Sequence, residues 1–271
     1  MIFKTLRSGS SGNALLLEWG QGARRARLLI DCGLRSQKAF HQLLEEEVGL
    51  DVPLVGVLIT HAHSDHVNYS ALRVIDRLGV PVFVHEKTRE QVHKRHLHPS
   101  RIPSSADLTG IDFRCFGSNS FVIEDLTVTP IPLPHAPGVN THGYRFDCGG
   151  YRLLVATDFC EAHALLPFLH DVDLIYVESN YDPELLRQYY NPASTYHMSN
   201  EGAAELIDLL LEENECPPGT IVLGHLSTER NTPALALRAM KRSLAYYDHP
   251  IELHVAPRHG PSESFFVKER N

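Results

Sequence analysis

Thr60-His61-Ala62-His63-Ser64-Asp65-His66 follows directly on the apolar run Val55 to Ile59. The pattern H-x-H-x-D-H packs three histidines and an aspartate into one short turn. With 17 histidines in 271 residues, chance supplies on the order of 0.003 copies of such a pattern. A cluster of this kind would repel itself on protonation unless a metal were present. Neutral imidazole and carboxylate are ligands for zinc and manganese. A strand end turning into a loop can aim the first pair of side chains at one ion and the next pair at a second. Four ligands do not fill two sites, so further His and Asp must come from elsewhere in the chain.

The rest of the composition bounds the answer. Lys and Arg total 25 against 33 Asp and Glu, a formal charge of −8, which excludes an overall basic nucleic-acid coat but not a local basic patch. Hydrophobic residues at 43% and charged residues at 21% exclude wholesale disorder. No apolar run approaches the roughly 18 residues of a membrane span. Met1-Ile2-Phe3-Lys4 leads into polar Ser and Gly without an apolar signal core, so a cytoplasmic protein is expected. Five cysteines lie far apart with no C-x-x-C, as expected of a reducing compartment and not of a disulfide framework or a Cys zinc site.

Short apolar runs bounded by turn signals predict strands at Asn13 to Trp19, Ala26 to Asp31, Leu54 to Thr60, Val80 to Val84, Phe121 to Ile131, Gly143 to Asp147, Arg152 to Thr157, Leu174 to Val177, Thr220 to Leu223 and Ile251 to Val255. Gly149-Gly150 reads as a hairpin turn. Apolar residues at helical spacing predict helices over Ser36 to Glu47, Ser70 to Leu78, Glu201 to Glu213 and Thr232 to Tyr246. Ser36 is read as a cap of the first, Ser199 or Asn200 as the cap of the third, and Pro233 as an N1 proline. There is no internal sequence repeat, low-complexity tract or long linker. Strand-rich stretches broken by helices, without strict βαβ alternation, predict an α+β protein with helices covering strand layers, in a single domain over 1–271.

Five motifs occur in an order that resembles the metallo-β-lactamase fold superfamily over nearly the whole chain. They are Asp31 in Leu29-Ile30-Asp31-Cys32-Gly33; His61, His63, Asp65 and His66; His135 in Leu133-Pro134-His135; Asp158 in Ala156-Thr157-Asp158; and His225 in Leu223-Gly224-His225. The resemblance implies a four-layer αββα sandwich and two divalent ions, zinc first and manganese as the alternative. It implies that His61, His63 and His135 hold one ion, that Asp65, His66 and His225 hold the other, and that Asp158 bridges both. Asp31 would fix the ligand loop by hydrogen bonds. Asp65, His197 and Asp31 form the expected catalytic group.

Further segments resemble the YycJ/WalJ-like branch, whose members are phosphodiesterases with 5′→3′ exonuclease activity on DNA. They are Ser8-Gly9-Ser10-Ser11-Gly12-Asn13, Glu178-Ser179-Asn180-Tyr181-Asp182, Tyr196-His197-Met198-Ser199-Asn200 and Gly224-His225-Leu226-Ser227. By this resemblance His197 touches the scissile phosphate, with Glu178 as its partner acid. Two departures touch the shape of the substrate groove: Ala136 follows His135 where the branch usually has Asp, and Tyr196 stands where a Gly is usual. The Ser8 to Asn13 loop offers backbone N–H groups and hydroxyls, or is a plain turn. Outside the motifs, His142, His254 and His259 read as ordinary histidines. His85, His93, His96 and His98, set among Lys87, Arg89, Lys94, Arg95 and Arg101, read as a solvated helix face or as a phosphate-contacting patch.

The expected activity is therefore metal-dependent phosphodiester hydrolysis, most simply by a nuclease acting on DNA before RNA. Two ions about 3.5–4 Å apart share a water and lower its pKa toward about 7. The alternative is a small-molecule hydrolase of the same fold, acting on a cyclic or small phosphodiester, a thioester or a lactam. A separate C-terminal thioesterase domain does not fit into residues 226–271, and His63 stands where redox di-iron relatives carry Glu. A metal-stabilised binding module is disfavoured, because every ligand type is kept.

Overall fold

The computed structural model describes residues 1–49, 51–100, 102, 110–214 and 217–267. Its residues group into two compact units, one of Met1–Asn119 with His259–Ser264 and one of Ser120–Arg258 with the C-terminal residues from Phe265.

In the first unit, strands β1 (Ile2–Arg7), β2 (Ala14–Trp19), β3 (Ala26–Ile30), β4 (Leu54–Ile59), β5 (Val82–His85) and β6 (Phe113–Phe116) lie side by side in chain order. β1, β2 and β3 pair antiparallel, and β3 to β6 run parallel. Three helices accompany them: α1 (Gln37–Leu43), α2 (Tyr69–Leu78) and α3 (Glu86–Val92). Phe40 of α1 and Leu72 and Ile75 of α2 are fully buried in one core cluster with Leu29, Val57 and Ile59 of the sheet. Burying side chains of this size stabilises by about 1.5–3 kcal/mol each. Asn68 caps α2 by accepting the Ala71 N–H, and Gly79 ends the helix in a left-handed conformation at φ 65°.

The second unit repeats this plan. β7 (Phe121–Ile123), β8 (Leu126–Leu133), β9 (Thr141–Cys148) and β10 (Tyr151–Ala156) are antiparallel. β10, β11 (Leu174–Glu178), β12 (Thr220–Gly224) and β13 (Glu252–Val255) are parallel. Helices α4 (Pro183–Gln188), α5 (Asn200–Glu213) and α6 (Pro233–Leu244) follow, and the short strand β14 is Phe265–Phe266. Leu206, Ile207 and Leu210 of α5 and Met240 of α6 pack in one cluster with Leu154, Ile175, Val177 and Ile221 of the strands. The central parallel strands are apolar almost throughout because both of their faces are covered.

The α+β reading and the order of the main elements hold. Ser36, Ser199 and Thr232 cap their helices by accepting N–H groups, with Pro233 just inside the last. Gly149 and Gly150, at φ 59° and 88°, make the two-residue turn between β9 and β10. The differences are local. The strand expected over Phe121 to Ile131 is broken at Glu124, at φ 54°, so β7 and β8 form a hairpin. The helix expected over Ser36 to Glu47 widens into a π turn at Leu44–Val48, and the one expected to reach Tyr246 ends at Leu244. β1, β6, α3 and α4 were not expected. Among the described residues no helix is long and apolar enough to cross a membrane.

Candidate metal centre

Each unit carries part of the expected ligand set on the loops that follow its strands. In the first unit the loop after β4 begins at Thr60. Asp31, the residue after β3, sits in the left-handed region at φ 62° and is buried. Its Oδ1 accepts the Thr60 N–H at 2.8 Å, and its Oδ2 accepts the Thr60 hydroxyl at 2.8 Å and the His66 Nδ1–H at 2.6 Å. Burial pushes the Asp31 carboxyl up, against the opposing pull of His66 and Thr60. With its hydrogen given to Asp31, the Thr60 oxygen accepts from His61 Nδ1 at 3.0 Å.

His61, His63 and His66 are gathered tightly: the His61 ring centroid lies 4.7 Å from His63 and 4.1 Å from His66. Asp65 Oδ2 lies 3.7 Å from His66 Nε2. The turn closes through His63, whose carbonyl accepts the N–H groups of His66 and Val67, each at 3.0 Å.

Two segments brace this loop. Asn13 donates its backbone N–H to the Asp65 carbonyl at 2.7 Å and its side-chain amide to the same oxygen at 3.2 Å. That amide also lies 3.0 Å from His66 Nε2, while Asn13 Oδ1 accepts the Gly9 N–H at 2.7 Å. The Ser8 to Asn13 loop thus turns donors onto the ligand loop. Gly33 passes so close that a Cβ there would lie 1.7 Å from the Asp65 oxygen, which only glycine permits. On another side, α3 runs into a π turn, His93–Leu97, and His96 Nε2 donates to the Ala62 carbonyl at 2.9 Å, between His61 and His63. His96 therefore supports the ligand loop. Of the basic segment around it, Arg101 lies outside the described residues. Arg89, His93, Lys94 and His98 line a groove together with Glu86 and Glu90, so that face carries both signs of charge.

In the second unit, Asp158 follows β10 at φ 56° and His225 follows β12 at φ 53°, both buried. Aspartate and histidine tolerate this region better than most residues, and the turn it imposes carries the side chain off the strand end. Gly224 is required beside His225, because a Cβ there would meet the Tyr176 hydroxyl oxygen at 2.1 Å. Glu178 ends β11 and is fully buried. Its Oε1 accepts from His197 Nδ1 at 2.7 Å and from His225 Nδ1 at 2.8 Å, and its Oε2 accepts the Phe159 N–H at 3.1 Å. Burial alone would raise the Glu178 carboxyl, but the His197 charge and the two histidine hydrogen bonds hold it below its usual value. Burial likewise works against the His197 imidazolium, yet Glu178 raises that ring above the ordinary histidine value.

Asp158 Oδ1 lies 3.5 Å from His197 Nδ1 and 3.7 Å from His135 Nε2, and Asp158 Oδ2 lies 3.6 Å from His225 Nδ1. His135 gives its Nδ1–H to the Tyr196 carbonyl at 2.8 Å, and burial lowers its pKa. Asp158, Glu178, His197 and His225 each offer a ligand atom within 4.8 Å of the others. A buried amide network fixes the strand end beneath them. The Ser179 hydroxyl donates to Asn200 Oδ1 at 2.7 Å, and Asn231 Nδ2 reaches the Ser179 carbonyl and Asn200 Oδ1, each at 2.7 Å.

The chemistry of this donor set suits divalent ions. His61, His66, His135 and His225 each have Nδ1 engaged with an acceptor: Thr60, Asp31, the Tyr196 carbonyl and Glu178 respectively. In the neutral ring that leaves Nε2 as the lone-pair nitrogen, the tautomer a metal-binding histidine needs. Within its own unit each expected ligand lies at a strand end with its neighbours. His142 is buried with Nδ1 3.4 Å from Asn140 Nδ2, and His254 packs on Phe265; neither joins the cluster. Glu178 holds both His197 and His225, where the sequence pointed only to His197. The signal was a lone carboxylate closing the apolar run Leu174 to Val177.

Comparison with known proteins agrees. The family model for the beta-lactamase superfamily domain matches residues 26–225. The exodeoxyribonuclease WalJ of Streptococcus pneumoniae serotype 2 (strain D39 / NCTC 7466) is 29% identical over 256 residues, covering 91% of this chain and 89% of that protein. The exodeoxyribonuclease YycJ of Bacillus anthracis is 29% identical over 255 residues, covering 89% and 88%. Among solved structures, the metallo-beta-lactamase fold protein YhfI from Bacillus subtilis superposes with a TM-score of 0.69 at 19% identity, over 97% of this chain and 100% of that one. With these matches and the ordered strand-end histidines and aspartates, the chain belongs to the metallo-β-lactamase superfamily and is a metal-dependent hydrolase of that fold.

Proposed function

We propose that the chain is a dinuclear metal-dependent phosphodiesterase, a nuclease that removes nucleotides from DNA in the 5′→3′ direction. In this reading His61, His63 and His135 would hold one divalent ion, Asp65, His66 and His225 a second, with Asp158 shared between the two, and zinc would be the resident metal. Such ions, when bound, activate water near neutral pH and neutralise charge on a phosphoryl group. The observation that carries the reading is His197, held at Nδ1 by Glu178 at 2.7 Å and placed beside Asp158. That arrangement leaves Nε2 for a substrate, and the Glu178 carboxylate favours the protonated ring.

The roles follow from the hydrogen bonds. Asp31 and Thr60 orient His66 and His61. Glu178 orients His197 and His225 together. A water oxygen attacks phosphorus and releases a proton to solvent, the bond to the leaving oxygen breaks, and His197 supplies the proton that oxygen needs and is reprotonated from solvent. The exodeoxyribonuclease names of the WalJ and YycJ relatives support DNA as the polymer.

The test is an assay on end-labelled single- and double-stranded DNA and RNA with zinc or manganese, comparing 5′-phosphate and 5′-hydroxyl ends. Release of nucleotides from the 5′ end of DNA is expected. A metal-loaded protein that cleaves no phosphodiester, bis-p-nitrophenyl phosphate included, would overturn the reading. Turnover of a thioester or lactam in its place would identify the small-molecule alternative.

A further inference from the structure

Tyr189 and Tyr190 are 57% and 72% exposed. Among the exposed large hydrophobic side chains of the described residues they are the two that neighbour each other in sequence. Exposed aromatic surface on an otherwise well-packed chain marks a contact site more often than a lone exposed Leu does. The backbone beneath them is firmly held. The Tyr189 N–H donates to Leu185 at 2.8 Å, and the Tyr189 carbonyl accepts from Arg230 Nε at 2.6 Å. Asn191 caps the 3₁₀ turn Pro192–Tyr196, which delivers the chain to His197.

This segment is tied to the candidate centre at both ends. Arg230 belongs to the loop that follows His225, and its own carbonyl accepts the Asp182 N–H at 2.8 Å. At the other end the Tyr196 carbonyl takes the His135 Nδ1–H. Two aromatic rings are thus displayed from a stretch hydrogen-bonded to the loops of His225 and His135, just ahead of His197. A 3₁₀ turn of this length rises by roughly 10 Å, about three steps of a stacked strand at about 3.4 Å each.

We propose that Tyr189 and Tyr190 are a stacking platform for the bases of a single-stranded nucleic acid whose scissile phosphate lies at His197. The proposal rests on the nuclease reading and names where its substrate lies. Stacking on an aromatic face is tolerant of sequence, because every base has a π-face. Arg187 is near these tyrosines in the chain and Arg230 is hydrogen-bonded to the Tyr189 carbonyl, but Glu184 and Glu229 stand beside them in the chain, and Arg230 is paired with Glu229. The platform therefore acts by stacking, and its contribution is insensitive to salt, unlike that of phosphate contacts.

The test uses the full chain loaded with zinc and a fluorescein-labelled, phosphorothioate-linked oligothymidylate read by anisotropy. The probe is compared with an abasic strand of equal length. Y189A and Y190A should each weaken oligothymidylate binding about tenfold, and the double variant about a hundredfold. Y189F and Y190F should bind like the wild type, and the abasic strand should bind wild type and double variant alike. Hydrolysis of bis-p-nitrophenyl phosphate should be unchanged in every variant, which also reports that each is folded. Equal oligothymidylate affinity for wild type and Y189A/Y190A would overturn the platform, as would equal loss on the abasic strand. A platform that serves a protein partner would show as the first of these outcomes. A wild type that cleaves small esters but neither cleaves nor binds nucleic acid would instead overturn the nuclease reading itself.

Discussion

His66 Nδ1 lies 2.6 Å from Asp31 Oδ2, and the two side chains are 0% and 2% exposed. The carboxylate accepts from Thr60 as well as from the ring, so it sets the tautomer of His66 and, through Thr60, that of His61. Asp31→Asn keeps the shape but puts an amide hydrogen opposite a donor. Zinc affinity, read by competition with a chelating dye, should fall by about 10–100-fold. Unchanged affinity would mean that Thr60 and Asn13 orient the ring without Asp31.

The two late histidines share one oxygen of Glu178 and should still separate in function. His225→Ala should lose zinc from one site. His197→Ala should retain both ions and lower kcat by about 10²–10⁴-fold, as expected for a positioned acid. Metal content and rate for the two variants decide it, and the reverse result would exchange the roles.

Asp158 calls for a careful choice of variant. At φ 56° alanine adds backbone strain, whereas asparagine tolerates this region. Asp158→Asn should leave the fold intact by circular dichroism and keep less than about a tenth of the wild-type rate, because a bridging carboxylate serves both ions. A higher residual rate would remove the bridge assignment.

Much of this candidate site was legible because each candidate residue announces itself by position. Asp31, Asp158 and His225 are polar residues that end apolar runs, and the H-x-H-x-D-H turn is too dense to arise without a reason. The supporting contacts were harder to read. Asn13 looked like part of a glycine-rich turn, and its hydrogen bonds to Asp65 and His66 join segments far apart in sequence. His96 looked like one charge among many, and only the π turn places it on the Ala62 carbonyl. β1 escaped notice because Ile2–Arg7 mixes polar and apolar residues, and β6 because Phe113–Phe116 is short. α3 follows β5 without a turn signal, since His85 itself is the cap, accepting the Lys87 N–H.

Among the described residues the thiols should react in an order set by burial. Cys115 is exposed, Cys148 and Cys160 are half-buried, and Cys32 is buried between the Asp31 and Gly33 turns. Burial, with the nearby Asp31 charge, pushes the Cys32 thiol far up, and burial raises Cys148 and Cys160 as well. Iodoacetamide at neutral pH followed by peptide mass mapping should label Cys115 first and leave Cys32 unmodified until the chain unfolds. Early labelling of Cys32 would show that the ligand loop opens in the native state.

Asp31, Asp158 and His225 share a left-handed backbone, and that conformation narrows the alphabet before any chemistry is considered. A β-branched residue at such a position is strained by roughly 1–3 kcal/mol, so Val, Ile and Thr are filtered out by the fold itself. Glycine, asparagine, aspartate and histidine pass the filter, and two of these four are good metal ligands. The chain geometry at the strand ends therefore acts as a sieve that retains coordinating side chains. A lineage drifting without selection for catalysis would therefore keep the candidate ligands Asp158 and His225, and the Asp31 acceptor behind His66, longer than it keeps His61 or His63, whose backbones impose no such restriction.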